Sequence, residues 1–221
     1  MSTNCLIIGE SGTGKSCSLR NLPGEETFLI NVINKPLPFP KWKTSFTPCT
    51  KEFPNGNLFV SDNATQIISL MNKISATRLE KKVIVIDDFQ YIMANEFMRR
   101  HSNPGKGKDV FALYNDIGDN AWKIISASSN LREDLTVLIL SHSEDTDMGR
   151  TKCKTIGKLL DDKITLEGMF SIVLQTLIHE KQYMFLTQNN GSNTVKSPMG
   201  MFDSELIEND AKLLIDKIKE Y

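Results

Sequence analysis

The chain has no C-x-x-C pair; its four cysteines, Cys5, Cys17, Cys49 and Cys153, are scattered. A disulfide framework is not expected, and reduced thiols in a cytosolic protein fit best. No apolar run approaches the ~20 residues that span a bilayer, so no membrane association is expected. Nothing at the N-terminus has the make-up of a signal peptide. Neither sign of charge is in excess, with 26 Lys+Arg against 27 Asp+Glu. The chain as a whole is therefore not an electrostatic nucleic-acid binder, and any DNA-binding role must rest on a local patch. There is no internal repeat and no low-complexity tract. What remains, over 221 residues, is enough chain for one α/β domain with a real core, spanning 1–221.

The most informative stretch is Gly9-Glu10-Ser11-Gly12-Thr13-Gly14-Lys15-Ser16. It fits G-x-x-x-x-G-K-[ST], the phosphate-binding loop. Asn4–Ile8 before it reads as a buried strand, and Cys17–Arg20 after it as the first turns of a helix. Gly9, Gly12 and Gly14 are expected to take positive φ and curl the loop N–H groups inward. Those groups and the helix N-terminus make an anion site. The residues from Gly9 to Cys17 (Gly9, Glu10, Ser11, Gly12, Thr13, Gly14, Lys15, Ser16 and Cys17) are the expected ATP cradle. Lys15 would reach the β- and γ-phosphates, and the Ser16 hydroxyl would ligate Mg²⁺.

Val83-Ile84-Val85-Ile86-Asp87-Asp88 is the second anchor. Four β-branched apolar residues in a row predict a central strand covered on both faces. It ends in two carboxylates where α/β sheets place their ligands. Asp87 is the expected partner of Ser16 on Mg²⁺. Asp88 is open to two roles: polarising the attacking water, or capping the helix that starts at Phe89. Leu135–Leu140 is another buried strand. Its tip, Ser141-His142, is placed to sense a γ-phosphate, though a lone His is often only a satisfied hydrogen-bonding group.

Elsewhere the spacing predicts strands at Thr27–Ile33 and Leu58–Val60, and an irregular or hairpin excursion over 41–56. It predicts helices over 63–80, with an Asn63–Gln66 capping box, from Phe89 to Phe97, and over 110–131. The last of these should bury Tyr114, Ile117, Ala121, Ile124, Ile125 and Leu131. Met169–His179 and Gln182–Gln188 predict an antiparallel hairpin around Glu180-Lys181. Asp203–Tyr221 reads as a terminal helix. Two polar loops carry clustered cations: Arg99, Arg100, Lys106 and Lys108 near 99–109, and Arg150, Lys152, Lys154 and Lys158 near 143–158. They fit either two solvated loops or one groove that holds a DNA backbone.

Taken together, Gly9–Ser16, Val83–Tyr91, Leu138–Glu144, Lys154–Leu160 and Gln188–Phe202 resemble the RecA-like ATPase core. More narrowly, they resemble phage-encoded nucleotide-binding proteins of the single-strand-annealing recombination group. The resemblance implies an α/β fold, a RecA-like core whose mostly parallel sheet is flanked by helices and closed by the C-terminal antiparallel hairpin. It implies Mg²⁺-dependent ATP hydrolysis and a ring or filament with ATP between subunits. It also implies recombination work on single-stranded DNA in the host cytoplasm. Lys196 then resembles the cations that such subunits extend toward a neighbour's γ-phosphate, and 146–158 resembles a DNA-facing loop. Two departures stand out. RecA-like recombinases carry a catalytic Glu after the second strand, where this chain reads Asn31-Val32-Ile33-Asn34-Lys35; the extra N-terminal domain of many recombinases is also not seen. The competing expectation is an ATP-driven protein remodeller, such as a loader of a replicative helicase. A small-molecule kinase is a third, for which residues 99–108 would have to serve as a lid and no acceptor pocket is evident.

Overall fold

The structure, a computed structural model, describes residues 1–102, 110–157 and 159–221. Among the described residues the strands form one sheet, laid out β3-β2-β4-β5-β1-β7-β8-β9 with β6 appended to β5. In chain order these are β1 (Thr3–Gly9), β2 (Thr27–Asn31), β3 (Leu58–Val60), β4 (Val83–Asp87), β5 (Thr136–Asp145), β6 (Thr151–Cys153), β7 (Ile172–His179), β8 (Gln182–Leu186) and β9 (Leu206–Glu208). From β3 to β7 every neighbouring pair along that path is parallel. The β7–β8 and β8–β9 pairs are antiparallel. This is a phosphate-loop α/β core with an antiparallel C-terminal edge.

Helices α1 (Trp42–Ser45), α2 (Ala64–Thr77), α3 (Gln90–Arg100), α4 (Val110–Ser129), α5 (Leu159–Lys163) and α6 (Ala211–Glu220) complete the fold. One face of the sheet packs Ile84, Ile86, Val137 and Ile139 against the apolar stripes of α2, α3 and α4. The other face packs Val83, Val85, Leu138 and Leu140 against Leu19, Phe46 and α6. β4 is thus covered on both sides, with Val83 to Ile86 essentially inaccessible. Each such side chain stabilises the fold by roughly 1.5–3 kcal/mol of removed apolar surface. Among the described residues no helix is long and apolar enough to cross a membrane.

Several expectations need correction. Ser16–Asn21 is a 3-10 helix, not α; Leu22, held extended before Pro23, stops it within two turns. The Asp203–Tyr221 helix is split. Leu206–Glu208 adds to β8 as β9, and α6 starts only after Asp210, whose side chain accepts from the Lys212 N–H at 2.8 Å. The polar segment after Glu144 is not simply a loop: β5 runs on to Asp145 and turns back as β6. Helix α4 buries Leu113 rather than the half-buried Tyr114. Trp122 stays 40% exposed. The Asn63 cap is present, since its side chain accepts from the Gln66 N–H at 3.0 Å, but Gln66 answers to Ser61 instead. The hairpin turn is as tight as expected: Glu180 and Lys181 both take positive φ, the geometry of a two-residue turn.

Candidate nucleotide site

Because β1, β5 and β4 are parallel, their C-terminal ends share one edge of the sheet. Register puts Gly9 opposite His142 and Asn31 opposite Asp87. The loop and the two carboxylates therefore face each other across β5, two strand spacings of ~4.8 Å apart. Ser16 closes that distance, donating to Asp87 Oδ1 at 2.9 Å. A pocket of about 410 Å³ opens there, lined among others by Gly12, Gly14, Lys15, Ser16, Lys35 and His142. Ser11, Cys17 and Tyr183 border the same space. Its size suits a nucleotide-scale ligand.

The loop geometry separates its glycines into two kinds. Gly12 and Gly14 take φ of 83° and 99°, as expected. Gly9 does not; it is required by closeness instead. A Cβ there would lie 1.9 Å from Thr176 Oγ1 and 3.1 Å from the Thr176 carbonyl oxygen. Thr176 is on β7 and also contacts Thr13, hydroxyl to hydroxyl, at 2.6 Å. Gly9→Ala is expected to cost about 1–3 kcal/mol through overpacking and to weaken nucleotide binding; a melt together with a nucleotide titration checks both.

Lys15 is 6% exposed and folds back on its own loop. Its Nζ donates to the carbonyls of Gly9 and Glu10, each at 2.7 Å. Burial pulls its pKa down to about 8, against the opposing pull of Asp88 and Asp87. An arriving polyphosphate would offer this amine acceptors of full negative charge in place of two carbonyl dipoles.

Asp87 is fully buried, and burial with the adjacent Asp88 charge pushes its pKa up to about 6. Its Oδ2 has no hydrogen-bond partner among the described residues. An orphaned buried carboxylate oxygen beside a Ser hydroxyl fits a hydrated Mg²⁺, which takes few protein ligands and keeps its waters and phosphates. Ser16 and Asp87 would hold it. Among the described residues no cluster of three or more His, Cys, Asp or Glu offers a different metal site.

Asp88 does not cap α3. It adopts φ of 66°, and the cap position falls to Phe89 without a side-chain bond. Its carboxylate is 1% exposed and pairs with Lys35, while His142 Nε2 stands 3.7 Å away. Burial pushes the Asp88 pKa up, yet the facing His142 ring and the Lys35 ammonium outweigh it and hold the group below the usual value. Two adjacent carboxylates are thus driven apart in acidity, the pattern that marks acid–base sites.

The strand tip divides. His142 lines the pocket, its backbone N–H fixed by Gln90 Oε1 at 2.7 Å and its ring edge-on to Tyr91. Ser141 is fully buried and does not line that pocket; its hydroxyl faces the Cys153 thiol on the opposite side of the sheet. Lys196 is exposed and is not among the residues that line the pocket. Its backbone pairs with Val173 of β7 in both directions, at 2.8 and 2.9 Å. Of the expected DNA-contacting residues, Lys106, Lys108 and Lys158 lie outside the described residues. Arg99 pairs with Asp62, Arg100 with Glu96 and Asp116, and Lys152 with Glu144 and Asp161. Arg150 donates to the Asn193 carbonyl at 3.2 Å, and Lys154 is exposed.

Three site residues are not singled out by the sequence: Thr176, Gln90 and Lys35. Thr176 and Gln90 carry no local motif and show themselves only through strand order. Lys35 has a signal in hindsight, since a buried Asp88 beside Asp87 calls for a cation from a neighbouring strand.

A family model described as an AAA domain matches residues 2–140, more than half of the chain. No curated protein matches it. The matched span runs from the start of β1 through the loop and both carboxylates to Leu140, just short of the strand tip. With the phosphate loop, the buried Asp87 and the parallel core in place, the chain belongs to the AAA domain family of phosphate-loop ATPases.

Proposed function

We propose that this chain hydrolyses ATP with Mg²⁺ and couples the cycle to assembly on single-stranded DNA, in the phage recombination setting of the RecA-like annealing proteins. The observation that carries the ATPase part is that Lys15 and Ser16 line one pocket, with Asp87 buried behind it accepting from Ser16 and Asp88 buried behind it pairing with the pocket-lining Lys35. Lys15 leaves the Gly9 and Glu10 carbonyls for the β- and γ-phosphates. Ser16 and Asp87 hold the magnesium, which when bound supplies charge neutralisation on the phosphates. Asp88 takes the proton of the attacking water as its oxygen bonds to the γ-phosphorus and the bond to the β-phosphate oxygen breaks, giving ADP and phosphate. The site contributes mainly positioning and electrostatics.

The DNA part is supported by the β5–β6 hairpin. It extends directly from the strand that carries His142, so a shift at the γ-phosphate end of the pocket has a rigid path to Arg150, Lys152 and Lys154. Exposure of Lys196 on β7's flank supports its reaching a neighbouring subunit in a ring or filament. A cytoplasmic setting in the host cell and a single domain over 1–221 belong to the same reading. The protein-remodeller alternative is favoured by one specific observation: Arg99, Arg100 and Lys152 already direct their charge at carboxylates.

Turnover measured with and without single-stranded DNA separates the two. We expect DNA to raise turnover and to bind with a salt slope of about −0.7 per phosphate neutralised. No stimulation and no salt-sensitive binding would overturn the DNA part, and a stable ATP-dependent complex with a replication protein would favour the remodeller.

A further inference from the structure

Strand order gives the pocket a direction. Across the shared sheet edge the residues run Tyr183 on β8, the loop after β1, His142 on β5, Asp87 at the end of β4 with Asp88 just after it, and Lys35 after β2. A nucleotide gripped by the loop has two ends. Its phosphate tail must lie toward the carboxylates that manage magnesium, and its nucleoside toward Tyr183. Lys35 therefore stands beyond the tail, on the side where only a third phosphate extends.

Lys35 is built into that place. Asn31 Nδ2 donates to its carbonyl at 2.8 Å, Asn34 turns the chain at φ 55°, and Pro36 follows. Its side chain, 39% exposed, lines the pocket and reaches inward to a carboxylate that is 1% exposed. Asp88 meets it from a left-handed backbone position, φ 66°, which non-glycine residues seldom adopt. A strained residue at a site edge, paired with a cation from another strand, points to two arrangements rather than one. A terminal phosphate carries more charge than one carboxylate and offers three acceptor oxygens to an ammonium with three donors.

We propose that Lys35 is a γ-phosphate ligand that Asp88 holds in waiting. ATP draws the ammonium away from Asp88 and leaves that carboxylate beside the attacking water; ADP, one phosphate shorter, leaves the Lys35–Asp88 pair closed. Lys35 then discriminates triphosphate from diphosphate within the same subunit. This rests on the ATP-site reading above.

Calorimetric titrations of wild type, Lys35→Met, Lys35→Arg and Asp88→Asn with Mg²⁺ and either ADP or a non-hydrolysable ATP analogue test it. In Lys35→Met we expect analogue affinity to fall on the order of ten- to a hundredfold, the worth of a charge-assisted bond, with ADP affinity within about twofold. Lys35→Arg should recover most of that loss. Asp88→Asn should bind the analogue more tightly and ADP as before, because Lys35 is no longer held. Equal losses for both nucleotides in Lys35→Met, or no loss for either, would overturn the role of Lys35. If Lys35→Met bound neither nucleotide through misfolding, the Asp88→Asn arm decides, and no tightening there would overturn it. Wild-type protein that bound neither nucleotide would overturn the site reading itself and Lys35 with it.

Discussion

Lys15→Ala is expected to lower ATP turnover on the order of 10²–10³-fold or more, the cost of removing a preorganised charge stabiliser, while the protein stays folded. Lys15 is the cation nearest the loop carbonyls, and its side chain serves the site rather than the core. Its stability balance is close to even. Burial lowers its pKa from 10.5 to about 8. The unfolded chain thus binds that proton more tightly, and stability rises as pH climbs from about 8 toward 10.5. Below pH 8 the burial penalty stands in full, and Ala relieves it. Against that, the Gly9 carbonyl loses its donor, while the Glu10 carbonyl keeps the Thr13 hydroxyl at 2.8 Å. The melting midpoint should shift by a few degrees at most near neutral pH. Steady-state phosphate release and a thermal melt on the same preparation check both halves; full turnover in the variant would remove the loop from the mechanism.

Asp87→Asn is expected to move stability and nucleotide binding in opposite directions. Burial and the Asp88 charge raise the folded pKa of Asp87 from 3.8 to about 6. The folded state therefore holds the proton more tightly, so stability falls as pH rises from 3.8 to 6 and the penalty is complete above 6. A shift of that size is worth about 3 kcal/mol. The amide surrenders part of it, because its N–H₂ has no ready acceptor, leaving a gain of ~1–2 kcal/mol at neutral pH. That gain should shrink below pH 6 and vanish near 3.8. At the same time Mg²⁺-dependent nucleotide affinity should drop about 10–100-fold, as when a group that orients a metal's ligands is lost. Chemical denaturation at pH 5 and 7.5 and titrations with and without Mg²⁺ read the two effects. A variant destabilised at pH 7.5, or one with unchanged Mg²⁺ dependence, would contradict this assignment.

Much of the sheet is legible in the sequence because its signals are local. Val83–Ile86 and Leu135–Leu140 are apolar runs too short for helices and too continuous for surface strands. The phosphate loop is a fixed spacing whose flanks agree with it. The Glu180-Lys181 turn sits between two alternating segments. What escapes is set by pairing between distant segments. Leu206–Glu208 looks like the start of a helix until β8 offers it a ladder. The 3-10 turn after the loop depends on Pro23 and on packing beneath α6. Gly9 reads as a positive-φ position of the loop, yet its requirement comes from Thr176, 167 positions on. The Lys35–Asp88 pair joins the ends of two strands that are neighbours only in space. Charge patterning misleads in the same way. Arg99, Arg100 and Lys152 form basic clusters along the chain, but in three dimensions Asp62, Asp116 and Asp161 answer them.

The β7–β9 edge has a consequence for how this ATPase is divided. β7 is the second neighbour of β1, aligned from Cys5 to Ile8, and Thr176, Tyr183 and Asn209 abut the glycines of the loop. Arg20 and Asn21, just past the loop, are moored to Glu208 and Asp210. A fragment cut at the family boundary would turn the keystone strand into a raw margin with unpaired amides, a template for self-association. The grip on nucleotide is therefore shared property of the two ends of the polypeptide, and neither end can be excised without loosening the other.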